Sequence, residues 1–357
     1  MKITLPGFLD VHVHFRDPGM SAAEDMSTGI ESAWRGGFAA VVTMPNTSPA
    51  CDSPELISYQ TRLSGDVLVF LSAAITKGRL GKEVSDIEKL AEAGAAFFTD
   101  DGSYVADSKV MEDAMRRCAK LGMPVCQHAM DPAIQAGGVI RDCALARKLG
   151  LPVIPVRTET AAIERDLSLC RTVGCRLHIQ HISTAEGVNL VREAQKEGLP
   201  VTAEATPHHL LLSCDELSAD DANFKMAPPL GNNEDRAELR RAVKDGVLMF
   251  ATDHAPHPAS TKSLGFAKSA NGIIGLETAI PITYSVMVEG EGMSVEAWAR
   301  AWSEMPSALL PERFRTLLSG RTTSVEIGAM RKVDVSAFAS RSRNCPYDGM
   351  QFDCWPA

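Results

Sequence analysis

Short, wholly apolar runs alternate with helix-spaced segments along most of this chain, and no other feature limits its fold as strongly. After a first run that opens at Gly7, they occupy residues 39–44, 67–74, 95–99, 124–128, 177–182, 200–205 and 248–252. A run that is apolar throughout suits a strand buried on both faces, the condition of strands in a parallel sheet. Between these runs, residues 27–37, 53–63, 83–93, 107–121, 159–173, 185–197 and 234–245 carry helical spacing, with Gly36 and Gly37 as a stop for the first. Residues 130–157 are less regular. Eight strands alternating with helices predict an α/β fold closed as a (β/α)8, or TIM, barrel. No Gly-x-Gly-x-x-Gly or Walker sequence supports an open doubly wound sheet instead.

Two further helices, at 276–288 and 295–305, are expected on the outside of the barrel. Residues 1–318 therefore read as a barrel with flanking helices. Residues 319–357, polar and rich in Arg, Ser and Pro, read as a tail packed on its surface. The 357 residues, 45% of them hydrophobic, suit one large domain with at most an appendage.

Charge and cysteine usage exclude several classes of function. The net charge is −9 with no basic run, which argues against a nucleic-acid surface. No apolar run approaches the roughly 18–20 residues of a membrane span. Met1–Pro6 leads straight into the first strand, so no signal peptide is expected. Nine scattered cysteines, an odd number without a Cys-x-x-Cys pair, fit reduced thiols in a cytoplasmic protein.

Reactive groups of such barrels gather at the C-terminal ends of the strands. His12 and His14 end the first strand and, two residues apart, share a face. Arg16 follows them, and Asn46 ends the second strand. Asp100 and Asp101 end the fourth, His128 the fifth, His181 the sixth, and Asp253 with His254 and His257 the eighth. A lone His-x-His is more often structural. Polar, metal-competent residues ending six of eight strands are not explained as separate core histidines. The inventory suits a two-metal hydrolytic centre. In it His12, His14 and Asp253 hold one ion, His128 and His181 the other, and a strand-four carboxylate bridges them. Asp253 is then both ligand and proton shuttle. Arg16, Asn46 and His257 remain as substrate grips, and a guanidinium fork suggests an anionic substrate.

Taken together these segments resemble the dihydroorotase family of the amidohydrolase superfamily. Gly-Phe-Leu-Asp-Val-His-Val-His-Phe-Arg-Asp-Pro-Gly from Gly7 is similar to its opening signature, and Met44-Pro45-Asn46-Thr47 to its second-strand motif. Thr99-Asp100-Asp101-Gly102 resembles the fourth-strand segment of the bacterial group that has an aspartate in place of a carboxylated lysine. Blocks beginning at His181, Glu204, Thr252 and Gly275 resemble the later motifs. The resemblance spans about residues 5–290. It implies a zinc-dependent cyclic amidohydrolase of pyrimidine biosynthesis that reversibly closes N-carbamoyl-L-aspartate to L-dihydroorotate. It also implies one or two Zn2+ per subunit on His12, His14, Asp101, His128, His181 and Asp253. Arg16, Asn46 and His257 would bind the substrate carboxylate. Asp101 is preferred to Asp100 because its offset to His128 matches the family. His178, His208, His209 and His254 are expected to serve structure rather than the metals.

The chain also departs from the family. Ala227 and Gly231 stand where Asn and Arg are common, and Met130 where an acid is common. Only six residues precede Gly7, so the family's β-sandwich appendage should be reduced or absent. As partners the resemblance admits a homodimer and association with aspartate transcarbamoylase. The alternative readings are a hydantoinase- or allantoinase-like cyclic amidase, and a catalytically silent structural partner of aspartate transcarbamoylase.

Overall fold

The computed structural model describes residues 1–61 and 67–357. Eight parallel strands, β2 (Phe8–Val13), β3 (Phe38–Thr43), β4 (Leu68–Ala73), β5 (Ala95–Phe98), β6 (Val125–Gln127), β7 (Leu177–Ile179), β8 (Val201–Ala205) and β9 (Met249–Phe250), pair in sequence order. The ring closes where His14 N–H donates to His254 O at 2.9 Å, beside a Val13–His254 bridge. Below that seam Asp10, on β2, accepts from Thr252 N and its hydroxyl. This is the (β/α)8 barrel that the alternation predicts.

Helices follow the strands where apolar spacing and N-terminal capping agree. Asp25 caps Met26–Arg35, accepting from Thr28 N at 2.9 Å, and Thr184 caps Ala185–Lys196. Asn232 and Asp235 form a reciprocal capping box on Asn233–Lys244. Helices Ser108–Lys120 and Arg157–Val173 also lie where expected. Helix Pro54–Thr61 covers the start of the expected 53–63 segment, whose last two residues lie outside the described residues. The helix expected at 83–93 starts only at Ile87, because the preceding residues turn back and pair Thr76 with Val84.

Three segments differ from the sequence expectation. The 276–288 segment is not one helix: regular α-helix begins at Ala279 and widens into a π-helix over Tyr284–Gly290. Pro281 has no N–H to donate, so it is placed in the first turn of a helix rather than its interior. A helix absent from the sequence reading, Glu312–Leu318, follows Pro311. Beyond it the expected tail carries two strands, β10 (Thr322–Lys332) and β11 (Gln351–Pro356), which join β1 (Lys2–Pro6) in an antiparallel sheet of order β1-β10-β11. The appendage is reduced, not absent.

The barrel interior is packed by Leu9, Val11, Val42, Phe70, Phe97 and Met249 together with Leu310 and Phe314. Arg313 donates to Ala95 O at the start of β5, so the 304–318 segment plugs the N-terminal end and leaves the opposite mouth for chemistry. Outside the strands, Trp302 lies 5.2 Å from Phe38, 5.0 Å from Phe250 and 6.3 Å from Phe8, centroid to centroid. The Trp298 and Trp302 indoles both donate to Thr283 Oγ1 at 3.0 Å. Among the described residues no helix is long and apolar enough to cross a membrane.

Replacing Trp302 by alanine should cost about 3–5 kcal/mol, since a buried indole is lost from a site that cannot collapse. Urea unfolding with intrinsic fluorescence reads this, and a loss well below that range would mean that the aromatic cluster relaxes around the gap.

Candidate active site

The mouth of the barrel draws six metal-competent side chains to one point. Asp101 Oδ1 lies 3.3 Å from His12 Nε2, 3.5 Å from His128 Nδ1 and 3.4 Å from His181 Nε2, while its Oδ2 lies 3.4 Å from His14 Nε2. Asp253 Oδ1 is 3.0 Å from His14 Nε2 and 3.5 Å from His12 Nε2. Two groups, His12–Asp101–His181 and His12–His14–Asp253, each bring three ligand atoms within 4.8 Å of one another. Asp100 faces the other way and accepts from Thr76 N at 3.0 Å.

These residues fit a bound cation better than they fit one another. His12 Nε2 and Asp101 Oδ1, 3.3 Å apart, are buried without a hydrogen-bond partner. Their contacts lack hydrogen-bond geometry, and such orphans are rare in folded interiors. Burial would raise the Asp101 and Asp253 carboxyls, yet the neighbouring imidazoles hold both well below the ordinary range. Burial would likewise depress His12, but Asp101, Glu204 and Asp253 outweigh it and hold it well above its usual value. In effect a proton on His12 balances an excess of buried carboxylates, a charge that a metal ion supplies more completely.

An outer layer fixes the orientation of the imidazoles. Glu204, from β8, lies 2.5 Å from His12 Nδ1 and 2.9 Å from His178 Nε2 and accepts from His181 N–H. A carboxylate there keeps the proton on His12 Nδ1 and leaves Nε2 for a metal. Opposed by burial, these imidazoles still hold the Glu204 carboxyl down to about 2. Asn46 Oδ1 does the same for His14 Nδ1 at 2.8 Å. Sequence reasoning placed Glu204 in a motif without giving it a task. The available signal was an acid inside an otherwise apolar strand, which needs a buried partner. His178 is structural to the metals but not idle, since it bonds Glu204 and Thr202. His209 bonds Thr206 and Pro228 O, and His254 accepts from Gly275 N–H and contacts Glu24.

Two details of the backbone aim the ligands. Between β2 and β3 the register advances three residues, Asp10 to Val13, against two, Val41 to Thr43. This bulge turns His12 and His14 into the mouth above Leu9 and Val11. Arg16, His181 and Asp253 adopt φ values of 58°, 34° and 48°. Left-handed backbone at non-glycine residues is costly and persists where the surroundings enforce it, as at reactive sites. Around His181 the enforcement comes from buried Glu159, which accepts from the N–H and hydroxyl of both Ser183 and Thr184.

Beside the ligands lies a cavity of about 330 Å³ lined also by Arg16, Asn46, Gln135, Ala227, His257 and Asn271. Arg16 is buried, and desolvation lowers it only to about 10, so it stays charged. Its Nε donates to Pro256 O at 3.2 Å, and its Nη2 lies 3.4 Å from His257 Nε2 on the wall of the cavity. His257 is held down to about 3 by burial and by Arg16, and its Nε2–H donates to Asn271 O at 2.7 Å. Ala227 forms cavity wall. A Cβ on Gly231 would stand 2.6 Å from Asp235 Cβ and 2.7 Å from Ser183 O, so no arginine fits that backbone position here.

A parallel eight-stranded barrel with imidazoles and carboxylates converging at the C-terminal ends of its strands defines a metal-dependent amidohydrolase. A dihydro-orotase-like family model matches residues 1–187. The chain is 39% identical to a dihydroorotase of Geobacillus thermodenitrificans, covering 99% of this chain and 85% of the relative. It is 40% identical, with the same coverage, to one of Halalkalibacterium halodurans. The chain belongs to the dihydroorotase family. Among solved structures, the L-hydantoinase of Arthrobacter aurescens is similar with a TM-score of 0.86 at 26% identity, covering 99% of this chain and 83% of that one. The dihydroorotase of Saccharomyces cerevisiae shares the fold with a TM-score of 0.77 at 16% identity, covering 100% and 98%.

Glu204→Gln keeps the side-chain shape but removes the charge behind His12. Metal affinity, read by competition with a chromogenic chelator, should fall roughly 10- to 100-fold. Unchanged affinity would remove Glu204 from the outer layer.

Proposed function

We propose that this protein interconverts L-dihydroorotate and N-carbamoyl-L-aspartate, with zinc as its metal. The observation that carries the proposal is the position of a buried, charged Arg16 on the same cavity as the Asp101 and Asp253 cluster. A ring amide placed at the cluster puts its carboxylate substituent within the guanidinium's reach. The similarity to enzymes named dihydroorotase over nearly the whole chain supports the same reading.

The ligand set of imidazoles and carboxylates is one that zinc accepts. His12, His14 and Asp253 would hold one ion and His128 and His181 a second, with Asp101 between them. Zinc bound there supplies a Lewis acid for the amide carbonyl and lowers the pKa of an attacking water.

The chain's own residues do the rest. Asp253 is ionised and lines the cavity, so it can take a proton from the attacking water. In hydrolysis the ring C–N bond breaks, the hydroxyl joins the acyl carbon, and Asp253 returns the proton to the leaving nitrogen. Ring closure runs through the same steps in reverse and releases water. Arg16 grips the carboxylate as a fork. Asn46, with its oxygen engaged by His14, offers its Nδ2 hydrogens to the substrate. His257 spends its Nε2 hydrogen on Asn271, so it contributes to a bound carboxylate by exchanging that bond.

A hydantoinase-like activity on neutral rings is less supported. It leaves the buried Arg16 on the cavity wall without a purpose.

Asp253→Asn should leave the fold and metal content intact and lower kcat by at least about 10²-fold, because a proton carrier is lost. Near-normal turnover of L-dihydroorotate by zinc-loaded protein would sink the assigned mechanism. Arg16→Lys keeps the charge and loses the fork, and should raise KM for L-dihydroorotate about tenfold while kcat changes less. A fall in kcat alone would place Arg16 away from the carboxylate.

A further inference from the structure

The anion-binding side of the cavity is built from loops that meet edge to edge. The loop after β9, carrying His257, runs beside residues 271–275, with Ala255 N–H donating to Ile273 O at 2.8 Å. The approach is close: a Cβ on Gly272 would stand 2.5 Å from Ala255 Cβ. Neither loop belongs to a regular element that would hold it in place.

The seam is closed by a residue from the far end of the chain. Asn344 is buried, and its amide nitrogen donates to Ala255 O at 2.9 Å and to Gly272 O at 3.0 Å. Its Oδ1 accepts the backbone N–H of His257 at 3.2 Å. Its own carbonyl accepts from Ile274 N–H at 3.0 Å. Both amide hydrogens and the carbonyl oxygen of one side chain are thus spent on the backbone around His257 and Gly272.

The segment that carries Asn344 is itself tied to the opposite rim. Ser342 Oγ donates to Ala23 O at 2.7 Å, and Arg341 N–H donates to Glu24 at 3.2 Å. Ser340 Oγ also bonds Glu24, which faces His254. Residues 340–344 therefore strap the loop that follows Arg16 to the loop that carries His257. Lys262 reinforces the far side, its Nζ donating to Ala270 O and Gly272 O at 3.0 Å each.

We propose that Asn344 is a positioning residue for the substrate carboxylate, acting through His257 and the Arg16 side of the cavity. The proposal rests on the reading of Arg16 and His257 as the carboxylate grip. It touches neither metal ligands nor Asp253, so it separates binding from chemistry. Misplacing a grip by a fraction of an ångström weakens ground-state and transition-state binding alike, which raises KM and leaves kcat.

Asn344→Asp keeps the acceptor for His257 N–H and replaces the donors with an oxygen facing two carbonyls. Asn344→Ser shortens the side chain and breaks the seam without adding charge. Both are compared with the zinc-loaded full-length protein for KM and kcat on L-dihydroorotate, for the Kd of orotate by titration calorimetry, and for bound zinc and melting temperature. The expected result is a rise in KM and in orotate Kd of about 10- to 100-fold, with kcat and zinc content little changed. A fall in kcat at unchanged KM, or loss of zinc or of the melting transition in both variants, would make Asn344 a general structural residue and overturn the proposal. If the wild type binds orotate but does not turn over L-dihydroorotate, the proposed function fails while the Kd comparison still decides Asn344. A wild type that binds no orotate overturns both.

Discussion

One buried carboxylate sets the terms for the rest of the structure. Asp101 stands among four imidazoles, with Asp253 opposite and Glu204 behind. The imidazoles around them hold all three carboxyls below their ordinary range, and the carboxylates in turn hold His12 well above its own. A divalent cation would engage the orphaned His12 and Asp101 atoms together. The polypeptide must therefore hold these groups converged and buried against the cost of desolvating them.

The means of holding them are visible at each strand end. The strands supply a rigid floor, filled by Leu9, Val11, Phe70 and Phe97 and plugged from the other side by Leu310 and Phe314. Above that floor the backbone bends into unfavourable conformations at Arg16, His181 and Asp253. Buried acceptors stabilise the bends, with Glu159 under Ser183 and Thr184 and Asp10 under Thr252. Strain is thus concentrated where ligands must converge and is offset by hydrogen bonds one layer deeper.

The fold is shared with hydantoinases, and a barrel alone does not name a substrate. What this chain adds to the fold is a few groups at the rim. Arg16 supplies a fixed positive charge, and Asn344 anchors the opposing loops from a C-terminal segment that first pairs with β1 in a separate sheet. Gly231 packs against Ser183 and Asp235 with no room for a side chain.

Much of this was legible in the sequence because it is local. Apolar runs of strand length, helical spacing and caps such as Asp25, Thr184 and Asn232 are properties of neighbouring residues. They suffice to count eight strands and to place polar residues at their ends. Side-chain alternation says only that Asp100 and Asp101 face opposite ways; the preference for Asp101 comes from the resemblance, through its offset to His128, and β5 ends at Phe98 before either residue. The sequence did not show the two strands after residue 319, whose partner β1 is more than 300 residues away, nor the helix start shifted to Ile87. It was also silent on the tasks of Glu204, Glu159 and Asn344. Each acts through hydrogen bonds to residues remote along the chain, and a hydrogen bond is decided by distance and direction. Sequence alone determined which strands form and which polar, metal-competent residues end them; only the tertiary structure decided how those side chains are aimed and what ties the loops around the cavity together, because both rest on hydrogen bonds between residues remote along the chain.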